Sequence, residues 1–136
     1  MNSVIGLTSP KTFKVAGTIG RQGVVVLVDS GATHNFMSVE VITKLGLRPV
    51  HTSGYGVFLG NGLTVQGEGI CQAVTLYVQN LAIVADFLPL ELGSADVVLG
   101  IQWLRTLGQI QFNFSKLEMR FFQGATQVTI QGDPGL

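Results

Sequence analysis

The sequence predicts a mainly β domain with two short helices. Glycines make up 18 of the 136 residues and punctuate the chain at short intervals, with β-branched and aromatic residues between them. That arrangement favours many short strands joined by turns. Several of these segments alternate polar and apolar residues, which is the period of a strand with one buried face. The length suits one core, so we expect residues 1–136 to form a single domain.

The first third of the chain predicts two strands and a helix. Residues 12–16 (TFKVA) alternate in polarity, and residues 24–28 (VVVLV) form a continuous apolar run typical of a strand buried on both faces. A helix is expected after Ser38, whose hydroxyl can cap it, and Lys44 with Gly46 suits its end.

Three hairpins are predicted in the remainder of the chain. Their turns are residues 60–62 (GNG), 79–80 (QN) and 115–116 (SK), each between segments of strand character. Glycine and asparagine accept the positive φ angles that tight hairpins require.

A buried strand at residues 97–99 leads into a second helix, expected over 101–108 and ending at Gly108. After Thr126 the strand pattern fades. We expect the tail, residues 126–136, to be frayed.

Composition excludes several classes of function. Only 12% of residues are charged and the net charge is 0, so the chain has no basic field to attract nucleic acid or anionic lipid. No apolar run approaches the roughly 18 residues of a membrane span. The single cysteine, Cys71, excludes an internal disulfide and a Cys-based zinc site. The first residues lack the features of a secretory signal, so we expect an intracellular, cytoplasmic protein.

Asp29 carries the strongest chemical signal. It follows five apolar residues and precedes Ser30, Gly31, Ala32 and Thr33. Glycine allows close approach of backbone, and the neighbouring hydroxyls can hold a carboxylate. Taken alone, the same residues also fit an aspartate that starts a turn or caps a helix.

Other reactive residues do not form a competing site. His34 lies too close in sequence to Ser30 and Asp29 for an ordered nucleophile–base–orienter chain, so we expect it to hydrogen-bond locally. His51 reads as a loop residue and Cys71 as a small buried hydrophobe. We expect no metal site.

Four motifs in order resemble one protein family. They are residues 28–38 (VDSGATHNFMS), 88–90 (LPL), 96–104 (DVVLGIQWL) and 106–108 (TLG). Together they resemble the retropepsin-like aspartic protease segment of gypsy-type retrotransposon polyproteins, particularly those of plants. The resemblance covers about residues 8–122. It implies a closed β-barrel that is one half of the acid-protease fold and that assembles as a homodimer.

The chemistry that the resemblance implies needs two carboxyl groups. One takes a proton from water, and the other, protonated, polarises the scissile carbonyl. The chain has one Asp-Ser-Gly element, so the second group is expected to be Asp29 of a symmetry-related copy. Ser30 is expected to steady the pair, and Gly31 to leave room for substrate backbone. Asp86 and Asp96 lack a following Ser/Thr-Gly and read as strand-edge or turn residues; no cofactor is expected.

The resemblance also implies a flap that closes over an extended peptide. The hairpin tip Gly60-Asn61-Gly62 fits this role, although it also fits an ordinary surface turn. Apolar substrate side chains are expected, because Val28 and Ile101 belong to the residue types that line such pockets. The implied substrate-binding residues are Ala32, Thr33, Val57, Phe58, Gly60, Asn61 and Gly62.

The function implied is that of an aspartic endopeptidase that cleaves a retrotransposon Gag-Pol-type polyprotein. Its partners would be a second copy of the chain and an extended polypeptide, with no nucleic acid and no membrane. The charge-poor composition agrees with a surface covered by a partner. The alternative is a dimeric peptide-binding module, derived from such a protease, with weak or no catalysis.

Overall fold

The computed structural model describes residues 12–58 and 64–136. The strands are β1 (Thr12–Ile19), β2 (Gln22–Asp29), β3 (Phe36–Ser38), β4 (Tyr55–Phe58), β5 (Thr64–Gly67), β6 (Cys71–Val78), β7 (Leu81–Leu90), β8 (Val97–Leu99), β9 (Gln111–Asn113), β10 (Glu118–Gln123) and β11 (Thr126–Gln131). The helices are α1 (Val39–Leu45) and α2 (Ile101–Leu104), and α2 continues as a 3₁₀ turn (Arg105–Leu107).

Six strands close into a barrel in the order β1-β2-β8-β3-β7-β6. This confirms the mainly β class, the barrel and the two short helices. Strand β8 lies between β2 and β3, parallel to the first and antiparallel to the second. Val28 is in register with Leu99, so the residues that follow, Asp29 and Gly100, leave the sheet side by side.

The main core fills the barrel and extends beyond it to a separate three-stranded sheet. Alternate residues of the barrel strands point inward, including Val15, Val26 and Leu76, which are at most 2% exposed. The separate sheet β11-β10-β9 contributes Met119, Phe121 and Ile130 to the same core. The rings of Trp103 and Phe121 meet edge to face, with centroids 6.3 Å apart, and so join α2 to this sheet.

The capping signals of α1 act as the sequence predicts. The Ser38 hydroxyl accepts a hydrogen bond from the backbone N–H of Glu40 at 3.3 Å. Gly46 ends the helix at φ 66°, in the left-handed region, and its N–H bonds back to the last turn.

The predicted turns at residues 79–80 and 115–116 join antiparallel strands, β6 to β7 and β9 to β10. The third predicted turn, residues 60–62, lies outside the described residues. The strands on either side of it, β4 and β5, pair antiparallel and form a sheet of their own.

The second helix ends before Gly108, as predicted, although its last turn, Arg105–Leu107, is 3₁₀ and Gly108 has φ 73°. Two sequence predictions are wrong. Strand β2 is fully buried on one face only; on the other face Leu27 is partly exposed, because the small cluster that it contacts covers it only in part. The tail is not frayed at residues 126–131, which pair with β10 along their whole length as β11.

The strand at residues 126–131 escaped prediction because four of its six residues are exposed and polar, which leaves only Val128 and Ile130 to mark its buried face. Beyond it, the N–H of Gly132 bonds to the Leu117 carbonyl at 2.7 Å and the N–H of Asp133 to the Lys14 carbonyl at 2.8 Å. The second of these bonds ties the end of the chain to β1.

We predict that Val78→Ala lowers the free energy of unfolding by about 1–3 kcal/mol, because it deletes two buried methyl groups and leaves a cavity. Val78 is 1% exposed, whereas Val84 on the neighbouring strand is 65% exposed. Val84→Ala is therefore the matched control, with an expected change within about 0.5 kcal/mol. Urea unfolding of both variants measures the difference, and equal losses would contradict the assigned core.

Candidate active site

The site begins with the turn that follows β2. Asp29 ends the strand, and its carboxylate oxygen Oδ1 accepts a hydrogen bond from the N–H of Gly31 at 2.8 Å. The N–H of Ala32 bonds back to the Asp29 carbonyl at 3.1 Å. Asp29 and Ser30 are half-buried and Gly31 is exposed. The Gly31 N–H thus orients the Asp29 carboxylate. The exposed side of the turn stays accessible to a ligand or to another chain.

Gly100 supports this turn from behind. A β-carbon at Gly100 would lie 2.4 Å from the His34 carbonyl oxygen and 2.6 Å from that of Ala32. Its φ of −101° suits any residue, so glycine is required here for space and not for backbone conformation. The approach lets the N–H of Ile101 bond to the Ala32 carbonyl at 2.7 Å. The ends of β2 and β8 are therefore locked together at the candidate catalytic turn.

Asn35 completes the support, and sequence reasoning missed it. The side chain is 2% exposed. Its Oδ1 accepts from the N–H of Gly100 at 3.0 Å, and its Nδ2 donates to the Asp86 carbonyl at 3.3 Å. Its backbone carbonyl accepts from the N–H of Leu88 at 2.9 Å. One buried amide thus links the Asp29 turn, the start of α2 and β7.

The only signal in the sequence for Asn35 is an amide residue directly before an apolar strand. That signal does not identify its partners, since Gly100 lies 65 residues further along the chain. Side-chain hydrogen bonds of this kind satisfy backbone groups that have no partner in a neighbouring strand. They can be identified only once the strand order is known.

The other aspartates near the barrel serve its backbone. Asp96 Oδ2 accepts from the N–H of Val25 at 2.8 Å. Val25 lies four residues before Asp29, which is about 13 Å along an extended strand. Asp86 Oδ1 accepts from the N–H of Ala73 at 2.8 Å, at a bulge in β6 where Ala73 has φ 51°. Both contacts agree with the prediction that these two residues are structural.

Thr33 and His34 lie exposed on the outer side of the turn. The Thr33 hydroxyl and His34 Nδ1 are 2.9 Å apart, which is the local hydrogen bond expected for this histidine. The His34 ring also meets Phe36 edge to face, with centroids 6.5 Å apart. The His34 side chain thus lies beside an apolar surface that begins at Phe36.

That surface is a second, smaller apolar cluster, which we call the site cluster. Its buried members are Phe36, Leu90 and Val98, and its partly buried members are Leu27, Ala32, Val57, Leu88 and Leu92. Ala32 comes from the Asp29 turn and Val57 from the β4–β5 hairpin, so both of these predicted substrate-binding residues pack against the same cluster.

Several predicted site residues lie elsewhere or cannot be placed. Val28, expected in a pocket, is 1% exposed and belongs to the main core, because side chains alternate along β2. Ile101 also packs against the main core. The side chain of Phe58 and the residues Gly60, Asn61 and Gly62 lie outside the described part of the structure.

Neither Cys71 nor a cluster of metal-binding side chains offers a second chemistry in the part of the chain that the structure describes. Cys71 is 3% exposed, and burial raises the pKa of its thiol, which disfavours the nucleophilic thiolate. Among residues 12–58 and 64–136, no group of three or more His, Cys, Asp or Glu side chains is arranged to hold a metal ion. No helix in the described ranges is long and apolar enough to cross a membrane.

Comparison with known proteins identifies the family. A family model described as "Retroviral aspartyl protease" matches residues 9–120. The chain belongs to the retroviral aspartyl protease family. The match spans the Asp29 turn, the six barrel strands and α2, and it bears out the resemblance at the level of the aspartic protease family. A comparison with curated protein sequences finds no match.

A solved structure supports the retropepsin-like fold. The retroviral protease-like domain of Ddi1 from Leishmania major aligns with a TM-score of 0.66 over 91% of this chain and 95% of that one. The two sequences are 18% identical, so the likeness concerns the fold. It confirms the predicted fold class for this member of the aspartyl protease family.

We predict that Gly100→Ala destabilises the protein by about 1–3 kcal/mol or more, because its methyl group would overlap two backbone carbonyls that cannot rotate away. Gly93→Ala is the control, since a β-carbon at Gly93 meets nothing within 4 Å. Chemical unfolding of the two variants measures the difference. A Gly100→Ala protein as stable as Gly93→Ala would show that the two turns do not pack as described.

Proposed function

We propose that this protein is an aspartic endopeptidase that acts as a homodimer, with water activated between the Asp29 carboxyls of two copies. The observation that carries the proposal is the Asp29 turn. Its carboxylate is oriented by the Gly31 N–H, and the turn is held by Gly100 while its outer edge stays open. Membership of the retroviral aspartyl protease family supports the same chemistry.

The second carboxyl has to come from another chain in this proposal. Asp86 and Asp96 accept hydrogen bonds from backbone N–H groups of Ala73 and Val25. Asp133 accepts from the N–H of Gly135 near the end of the chain. A two-fold axis beside the exposed Gly31 would instead bring two identical turns together. The low charge, 12% of residues, and the exposed rings of Phe114 and Phe122 are compatible with a protein that buries surface on association.

The proposed mechanism gives the two carboxyls different roles. In the dimer, one carboxyl is protonated and polarises the scissile carbonyl, while the other takes a proton from the attacking water. Ser30 steadies the pair, and Gly31 leaves room for substrate backbone. The β4–β5 hairpin closes over the substrate and bonds it as an extended strand. Apolar substrate side chains lie against the site cluster near Ala32 and Val57, and the exposed Thr33, next to Ala32 in the chain, also contacts substrate.

The substrate is proposed from the motif order of the sequence. The segments at residues 28–38, 88–90, 96–104 and 106–108 resemble gypsy-type retrotransposon proteases. We therefore propose a Gag-Pol-type polyprotein as the natural substrate, cut at sites with apolar residues. The proposed mechanism uses no cofactor.

We expect Asp29→Asn to abolish cleavage of a polyprotein-derived peptide while it leaves the fold and the dimer intact, because an amide cannot take a proton from water. Asp133→Asn is the matched control and should keep wild-type activity. Sedimentation analysis and circular dichroism establish assembly and folding of both variants. Persistent cleavage by Asp29→Asn would refute the assignment. An inactive wild-type protein that dimerises and binds the peptide would instead identify a binding module.

The pH dependence tests the shared proton separately. At low pH both carboxyls are protonated and no base remains, whereas at high pH both are ionised and no acid remains. The value of kcat/KM should therefore fall on both sides of an acidic to near-neutral optimum, and a pepstatin-type inhibitor should bind best near it. A rate that rises steadily into alkaline pH contradicts the mechanism.

A further inference from the structure

Tyr55 connects the β4–β5 hairpin to the barrel. It is the first residue of β4, and its hydroxyl lies 3.2 Å from the Pro89 carbonyl on β7 and 3.2 Å from the Gly69 carbonyl. A tyrosine hydroxyl has one proton to donate, so the two carbonyls share it or alternate. Because β4 and β5 form their own two-stranded sheet, no ladder of backbone hydrogen bonds attaches them to the barrel strands.

The ring of Tyr55 packs against Gly67 on the opposite strand, β5. Tyr55 pairs with Gly67, and a β-carbon at Gly67 would lie 2.5 Å from Tyr55 Cε1. The ring therefore lies across the space that any other residue at position 67 would fill. Aromatic side chains stabilise cross-strand glycines in this way. The position of the ring determines where the hydroxyl lies, and the hydroxyl bonds to the Pro89 carbonyl on β7.

The acceptor Pro89 lies on β7, which pairs with the strand that follows the Asp29 turn. Pro89 is in parallel register with Met37 on β3, the strand that follows the Asp29 turn. Close by, the Thr52 hydroxyl accepts from the N–H of Gly69 at 2.9 Å and so holds the second acceptor in place. Burial is the main cause that raises the pKa of Tyr55, which keeps the hydroxyl a donor throughout the working pH range.

We propose that Tyr55 is a positioning residue that sets the inclination of the β4–β5 hairpin over the Asp29 turn, through its hydroxyl bond to Pro89. The inference rests on the proposed function, in which this hairpin covers the substrate. Substrate binding to a hairpin that is already in place costs less ordering entropy than binding to a loose one. The Tyr55 hydroxyl thus acts on substrate affinity and not on the bond-breaking step.

Tyr55→Phe tests the proposal because it keeps the ring over Gly67 and removes only the hydroxyl. Hydrogen–deuterium exchange of the wild-type dimer and the variant is compared for fragments covering residues 55–67 and, as an internal reference, the barrel strand β6. Loss of one hydrogen bond should speed exchange in the hairpin about two- to tenfold and leave β6 unchanged. Tyr77→Phe is the control, since Tyr77 is 50% exposed on β6.

Kinetics give the second readout. In Tyr55→Phe the KM should rise by about the same two- to tenfold factor, while kcat stays within about twofold of wild type. Gly67→Ala should change exchange and KM in the same direction, because its methyl group displaces the ring.

Unchanged hairpin exchange in Tyr55→Phe would overturn the proposal, and so would equal acceleration in β6 or a fall in kcat at constant KM. The exchange experiment uses no substrate. Its result therefore stands or fails independently of whether Asp29→Asn abolishes cleavage.

Discussion

The contact between Gly100 and the Asp29 turn is the constraint on which the candidate site depends. Two parallel strands end together, and the chain that leaves β8 passes within van der Waals contact of the carbonyls of Ala32 and His34. Only a residue without a side chain fits there. Because of this close approach, the N–H of Gly100 bonds to the Asn35 side chain and the N–H of Ile101 bonds to the Ala32 carbonyl. The two segments of chain thus satisfy each other's hydrogen-bonding groups. The position of the Asp29 carboxylate follows from this junction.

Local signals explain what the sequence could predict. The Ser38 and Gly46 caps, the turns at 79–80 and 115–116, and the apolar strand before Asp29 each depend on a few adjacent residues. The insertion of β8 between β2 and β3 has no local signal, and neither has the pairing of Asn35 with Gly100. The barrel was predicted through resemblance to a family and not from strand patterns. Strand β11 was missed because its exposed face is polar and its apolar face has only two residues.

The scarce charged groups of the barrel are used to complete its hydrogen bonding. Asp96 supplies an acceptor to Val25, and Asp86 supplies one to Ala73, where a bulge with positive φ interrupts the β6–β7 ladder. An unpaired N–H at either point would cost about 1–3 kcal/mol. Asp29 differs because its carboxylate accepts from its own turn, at the end of a strand and beside an exposed glycine. Within the barrel, Asp29 is thus distinguished from Asp86 and Asp96 by the backbone that its carboxylate serves.

The two parts of the proposed site are attached to the barrel with different strength, and this difference suits the proposed protease activity. The Asp29 turn is held by packed backbone at Gly100 and by a buried amide at Asn35, so moving it would break contacts of the barrel itself. The β4–β5 hairpin is joined by the Tyr55 hydroxyl and by the contact of Val57 with the site cluster. Elements with few buried contacts open at lower free energy than the core. In the proposed mechanism, the hairpin therefore admits an extended peptide while the geometry of the Asp29 carboxylate, which has to meet that of a second copy, is preserved.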